Sequence, residues 1–247
     1  MFIGNSVIYT NNLPAVFERI ADAQPDATAY DVDMLARGGT TLTELSQDPR
    51  VLELLRSGRY DVVVLQEKGG DDLCLLISRD SPDCTALVNS HVSLANLARE
   101  HGAKVLYLGT YQLAPGASRA LVRAERLLGD QMRAQYVEVS ERLQGLRGSE
   151  PGLPWLHADG GHPGIATTAL MGSLIYEALN ASAPVPFDLC IGAEMYTPKW
   201  KHDDVARHVD IVSEIQPKRC LLNQSQMYSI IQGTEVMRPV INERTGF

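Results

Sequence analysis

The chain has 247 residues, 45% of them hydrophobic, which is enough for one sizeable α/β core with or without a small appendage. Its formal net charge of −8 argues against a nucleic-acid backbone or an anionic membrane as the main partner, because both recruit basic surface. No run of about 18 apolar residues occurs, and no charged segment precedes a short apolar one, so membrane insertion and a secretory leader are not expected.

Phe2-Ile3-Gly4 reads as a short buried parallel strand, and Asn5-Ser6 opens the loop at its carboxyl end. Ligands in open α/β sheets gather at that edge, which makes Ser6 a candidate nucleophile. Taken alone, Gly-Asn-Ser is equally an ordinary turn tripeptide. Pro14, Val16, Phe17 and Ile20 predict a helix over 14–24. Residues 28–35 alternate as a strand, which Ala36-Arg37-Gly38-Gly39-Thr40 ends. A helix over 42–57 follows, with Leu45, Val51, Leu52, Leu54 and Leu55 on its apolar face and Gly58 as its stop.

Asp61-Val62-Val63-Val64-Leu65 is the clearest strand, a β-branched run without a polar face, hence central and covered on both sides. Gln66-Glu67-Lys68-Gly69-Gly70 lies at its carboxyl end. Residues 71–85 read as a polar irregular loop whose aspartates (Asp71, Asp72, Asp80 and Asp83) have no histidine partners at ligand spacing and are expected to be solvated. A helix over 86–101 leads to a strand over 104–108, and Thr110, Tyr111 and Gln112 in the next loop are placed to touch a substrate, Tyr111 also suiting rim packing. A helix over 118–135 and an edge strand over 136–139 complete the alternation, and Gly145 and Gly148 are expected in a loop. The fold class that follows is α/β, a doubly wound parallel sheet of about five strands in a flavodoxin-like α/β/α sandwich.

Next comes His157-Ala158-Asp159-Gly160-Gly161-His162-Pro163, then an apolar helix over 164–180. Asp159 and His162 fall on one short turn, so the carboxylate can reach imidazole Nδ1 and leave Nε2 free to face a serine. No Gly-x-Ser-x-Gly, Gly-x-Gly-x-x-Gly or phosphate-loop pattern competes with this chemistry. Ala183-Pro184-Val185-Pro186 marks a linker into a tail with no motif of its own, containing an extended piece at Cys220-Leu221-Leu222. His202, Asp204 and His208 read as the solvated face of a charged helix over 203–215.

Gly4-Asn5-Ser6 after an N-terminal strand, paired with Asp159-x-x-His162-Pro163 before a C-terminal helix, resembles the SGNH (GDSL-type) hydrolase superfamily, mostly serine esterases and lipases. The resemblance spans residues 2 to about 182 and implies an acyl-ester hydrolase acting through Ser6, His162 and Asp159. It also implies an oxyanion donor in the loop after the second strand, best matched by Gly39 with Gly38 as alternate, although a plain turn fits as well. Two departures stand out. Asn5 replaces the usual aspartate, and the Gly-x-Asn-Asp block after the central strand is missing, leaving Gln66 to offer an amide where an asparagine is usual.

On this view residues 1–182 form the hydrolase domain and 183–247 an extension that packs on the core, covers the pocket or makes a homodimer contact. The substrate expected is a small-molecule, carbohydrate or lipid ester, with acyl transfer or ligand binding without turnover as alternatives, and no cofactor is implied. Cys74, Cys84, Cys190 and Cys220 are too sparse for a disulfide scaffold and read as reduced thiols of a cytoplasmic protein, though Cys74 and Cys84 bracket one loop and can pair in an exported one.

Overall fold

The computed structural model describes residues 1–25, 28–201 and 218–236, so the helix expected over 203–215, with His202, Asp204 and His208, lies outside the described residues. In chain order the elements are β1 (Phe2–Gly4), α1 (Ser6–Tyr9), α2 (Leu13–Asp22), β2 (Met34–Ala36), α3 (Leu42–Leu45), α4 (Pro49–Arg56) and β3 (Val62–Leu65). A short 3₁₀ turn (Asp71–Leu73) precedes α5 (Cys74–Ile77), α6 (Pro82–Glu100), β4 (Lys104–Leu108), α7 (Pro115–Met132), β5 (Gln135–Val137), α8 (Ser140–Ser149) and α9 (Ile165–Asn180). The chain continues through β6 (Leu189–Ile191), β7 (Arg219–Leu222) and α10 (Gln224–Val236).

The first five strands form one parallel sheet in the order β2-β1-β3-β4-β5, the doubly wound arrangement. Side chains alternate across it, so Phe2, Val64 and Leu106 join one core with α2, α8 and α9. Ile3, Val63, Leu65, Val105 and Tyr107 join a second core with α4, α6 and α7. Burial on both faces is why the strands read as apolar runs.

Local chemistry sets several boundaries differently from the sequence expectation. The helix expected over 42–57 is two helices, because Pro49 has no N–H to continue α3 and instead opens α4, with Asp48 capping the Arg50 N–H at 2.9 Å. Gly145 and Gly148 lie inside α8 rather than in a loop, since Leu143 and Leu146 bury against the core and outweigh the glycine penalty. The segment expected as an irregular solvated loop contains the 3₁₀ turn, α5 and the start of α6, and Asp72 in it is buried, accepting from the Tyr107 hydroxyl.

The expectation of reduced thiols is also corrected. The turn between α5 and α6 brings the Cα atoms of Cys74 and Cys84 to 5.6 Å, and the two are disulfide-bonded. Cys190 and Cys220 are bonded across the antiparallel pair β6–β7. That pair packs on α2, and the chain around it lies along the N-terminal helices. Asn11 N–H donates to the Tyr196 carbonyl at 2.9 Å, Asn12 Nδ2 to Glu194 at 2.8 Å and the Tyr9 hydroxyl to Pro198 at 2.9 Å. Among the described residues no helix is long and apolar enough to cross a membrane.

Candidate active site

Ser6 is the first residue of α1, immediately beyond β1, so its hydroxyl stands at the carboxyl edge of the sheet. Asn5 caps this turn, its Oδ1 accepting the Val7 N–H at 3.2 Å while its Nδ2 donates to the Thr40 carbonyl at 3.3 Å. An aspartate at this 2% exposed position would set a carboxylate against that carbonyl, which accounts for an amide here.

Across the edge, residues 157–162 form a closed turn. The His157 N–H donates to the His162 carbonyl at 2.9 Å, Leu156 bridges Pro163, and the Tyr111 hydroxyl donates to the Gly161 carbonyl at 2.8 Å. Asn11 Nδ2 holds the Pro163 carbonyl at 2.8 Å, tying the turn to the segment that follows Ser6. His162 Nε2 then lies 3.0 Å from Ser6 Oγ, and His162 Nδ1 lies 2.8 Å from Asp159 Oδ2.

Asp159 is exposed, yet its carboxyl is held well below the usual carboxylate range, chiefly by the backbone N–H groups of His162 and Gly161, each 3.0 Å from Oδ1. An ionised Asp159 against Nδ1 assigns the proton to that nitrogen and leaves Nε2 able to accept from the serine hydroxyl. His157 Nδ1 approaches the same Oδ2 at 3.3 Å, so the carboxylate has two imidazole neighbours and only His162 is within hydrogen-bonding distance of Ser6. Beside Ser6, burial raises the Tyr9 phenol.

These groups open into a cleft of about 740 Å³. Ser6, His162, Gly38 and Gly39 line it, and Gly39 has φ +74°, a conformation that suits glycine. Thr110, Tyr111 and Gln112 line it as well, Thr110 being fixed by Glu125, whose Oε1 accepts its N–H at 2.7 Å and its hydroxyl at 3.1 Å. Gln66 does not line the cleft. It is fully buried, and its amide donates to the Glu67 carbonyl while its side chain packs where β1 ends at Gly4. Gln66 is thus set back inside the sheet edge and not on the cleft wall where the oxyanion donor was expected. Sequence reasoning missed Tyr9, Lys68, Gly69 and Pro198 as wall residues. Only the glycine pair after Lys68 carried a local signal; Pro198 arrives by a tertiary path.

A five-stranded parallel sheet between two helical layers, with serine, histidine and aspartate joined at its carboxyl edge, defines a doubly wound α/β/α scaffold. Its fold is that of the SGNH (GDSL-type) hydrolases, as three solved structures indicate. Axe2, an acetyl xylan esterase from Geobacillus stearothermophilus, is 14% identical with a TM-score of 0.55, covering 72% of this chain and 93% of its own. A putative GDSL-like lipase from Parabacteroides merdae is 14% identical with a TM-score of 0.54, covering 73% and 94%. The lipase Lip_vut3 from goat rumen metagenome is 14% identical with a TM-score of 0.52, covering 72% and 95%. No protein-family model matches the chain, and no curated protein does.

Proposed function

We propose that this chain is a serine hydrolase that cleaves a carboxylic ester through an acyl-enzyme. The observation that carries this reading is the continuous relay of Ser6 Oγ to His162 Nε2 at 3.0 Å and His162 Nδ1 to Asp159 Oδ2 at 2.8 Å, opening on a cleft. Ser6 Oγ attacks the ester carbonyl while His162 takes its proton, and the ionised Asp159 stabilises the imidazolium. The N–H groups of Ser6 and Gly39 receive the oxyanion. His162 returns the proton to the departing alkoxide, the carbon–oxygen bond breaks, and a water activated by His162 then frees Ser6.

The fold neighbours lend support at the level of reaction class. Catalytic mutants of the neighbouring acetyl xylan esterase replace a serine, an aspartate and a histidine, the aspartate three residues before the histidine, as Asp159 precedes His162. Acetylated carbohydrates and short lipid esters are the substrate classes we propose to assay first. The two disulfides favour an oxidising compartment over the cytoplasm.

The test is an aryl-ester series from acetyl to long-chain, assayed with wild type and Ser6→Ala, alongside labelling by a fluorophosphonate. Turnover and labelling in wild type alone support the reading. No turnover and no label in wild type overturns it, and product esters formed on adding alcohols would redirect it to acyl transfer.

A further inference from the structure

We propose that Glu67 and His91 are positioning residues for the cleft, a buried pair whose carboxyl group ties the loop after β2 to the loop after β3. The kinetic part of this proposal rests on the ester-hydrolase reading; the structural part does not. The mechanism above uses neither residue, and both are fully buried. Glu67 Oε2 accepts the N–H of Leu42 at 3.0 Å, and Oε1 accepts the N–H of Lys68 at 2.5 Å. Leu42 ends the loop that contains Gly38 and Gly39, and Lys68 begins the loop that contains Gly69; all four of Gly38, Gly39, Lys68 and Gly69 line the cleft.

The sheet order explains why a side chain is needed for this. Strands β2 and β3 are not neighbours, because β1 lies between them, so no ladder hydrogen bond connects the loops that follow them. Strand β1 ends at Gly4 and the chain turns away into α1. The Glu67 carboxyl spans the interval that β1 leaves. On the other side, Asn5 donates to the Thr40 carbonyl, so the loops after β1, β2 and β3 are joined in series through Asn5, Thr40, Leu42, Glu67 and Lys68.

His91 stands against the carboxyl. Its Nδ1 lies 2.7 Å from the Leu87 carbonyl, which can only accept, so Nδ1 carries a proton. Its Nε2 faces Glu67 Oε2 at 3.3 Å, and the Tyr107 ring stands edge-on to the imidazole at 5.8 Å. Burial pushes the acid up and the imidazole down, so each group is held toward its neutral form in the dry core. A neutral acid keeps one oxygen for each loop.

The experiment compares wild type, Glu67→Gln and His91→Phe. Glu67→Gln keeps the volume but sets an N–H₂ where one backbone N–H needs an acceptor. The expected result is a fall in kcat, counted per fluorophosphonate-titrated Ser6, of about tenfold or more with KM within a few-fold, since small misplacement of transition-state donors costs up to roughly 10²-fold. Hydrogen exchange of at least one of the Leu42 and Lys68 amides should quicken in Glu67→Gln while amides of α9 stay protected. If kcat per titrated site is unchanged, or those two amides keep their protection in Glu67→Gln, the proposal fails. If wild type neither labels nor turns over, the esterase reading has failed, and the exchange data alone decide the pair. Should both variants fail to fold, the ring-nitrogen spectrum of wild-type His91 decides: Nδ1 protonated, with slow exchange at Leu42 and Lys68, supports the pair, and a bare Nδ1 overturns it.

Discussion

At the scale of single residues, the relay and its imitators separate cleanly. Ser6→Ala and His162→Ala should each lower kcat by about 10³-fold or more without changing the melting temperature appreciably, because relay members act as a unit. His157 touches the same carboxylate at 3.3 Å but is not within hydrogen-bonding distance of Ser6, so His157→Ala should keep far more activity than His162→Ala in the same aryl-ester assay. Activity lost equally in both would mean that the turn rearranges to use either imidazole. Gln66→Ala should leave kcat within a few-fold of wild type and show its cost in thermal unfolding instead, since the fully buried amide bonds to the Glu67 carbonyl. A 10²-fold fall in kcat at unchanged stability would return Gln66 to the oxyanion site. The sequence made the aspartate and histidine visible because they share one turn. It could not reveal what Gln66 and Glu67 do, because that depends on strand parity. Val64 belongs to the α2/α9 core and Leu65 to the α6 core, so continuing the alternation turns Gln66 away from the face of α6 and Glu67 toward His91.

At the scale of elements, β1, β3 and β4 were legible because each is an apolar run buried on both faces, and the helices because their apolar residues recur with the helical period; the strand expected over 28–35 is only Met34–Ala36, and β5 is an exposed edge. What escaped was set by tertiary contact. Helix α8 keeps two glycines because its leucines face the core, and β6–β7 exists because two short segments pair and carry a disulfide. Cys190 and Cys220 are 30 residues apart in sequence, a loop for which chain entropy gives roughly 3 to 4 kcal/mol of stabilisation. The double variant Cys190→Ser with Cys220→Ser should therefore melt on the order of 10 °C lower, and wild type treated with a reductant should shift in the same direction. The closed loop includes Pro198, which lines the cleft and accepts from Tyr9, so the variant should also show a raised KM. An unchanged melting temperature under reductant would show that the bond does not stabilise the fold.

At the scale of the whole molecule, the core contains more acid than its size invites. Besides Glu67, burial raises Asp72 to about 7 and Glu125 to about 8, and their partners Tyr107 and Tyr136 are raised as well. Each acid keeps its proton in the folded state at a pH where the unfolded chain, near the ordinary value of about 4, has lost it. Such groups stabilise the fold fully below the unfolded value, and that stabilisation is lost as pH rises through the folded one. The window is thus from about 4 to about 8. Two opposing groups bear on where to measure. His91, pushed down to about 4, destabilises only as pH falls below the ordinary imidazole range, so it is silent above pH about 6.5. The Met1 amine, pushed down to about 6 by burial, has the opposite sign between there and its ordinary value near 8, but it is one group against three buried acids. The melting temperature should consequently fall between pH 6.5 and 9. Glu125→Gln should flatten that slope, because a glutamine still accepts from Thr110 through one atom and has no proton to lose. A melting temperature that rises over this interval, or a slope unchanged by Glu125→Gln, would show that these carboxyls are ionised in the folded protein and that water or a cation reaches them.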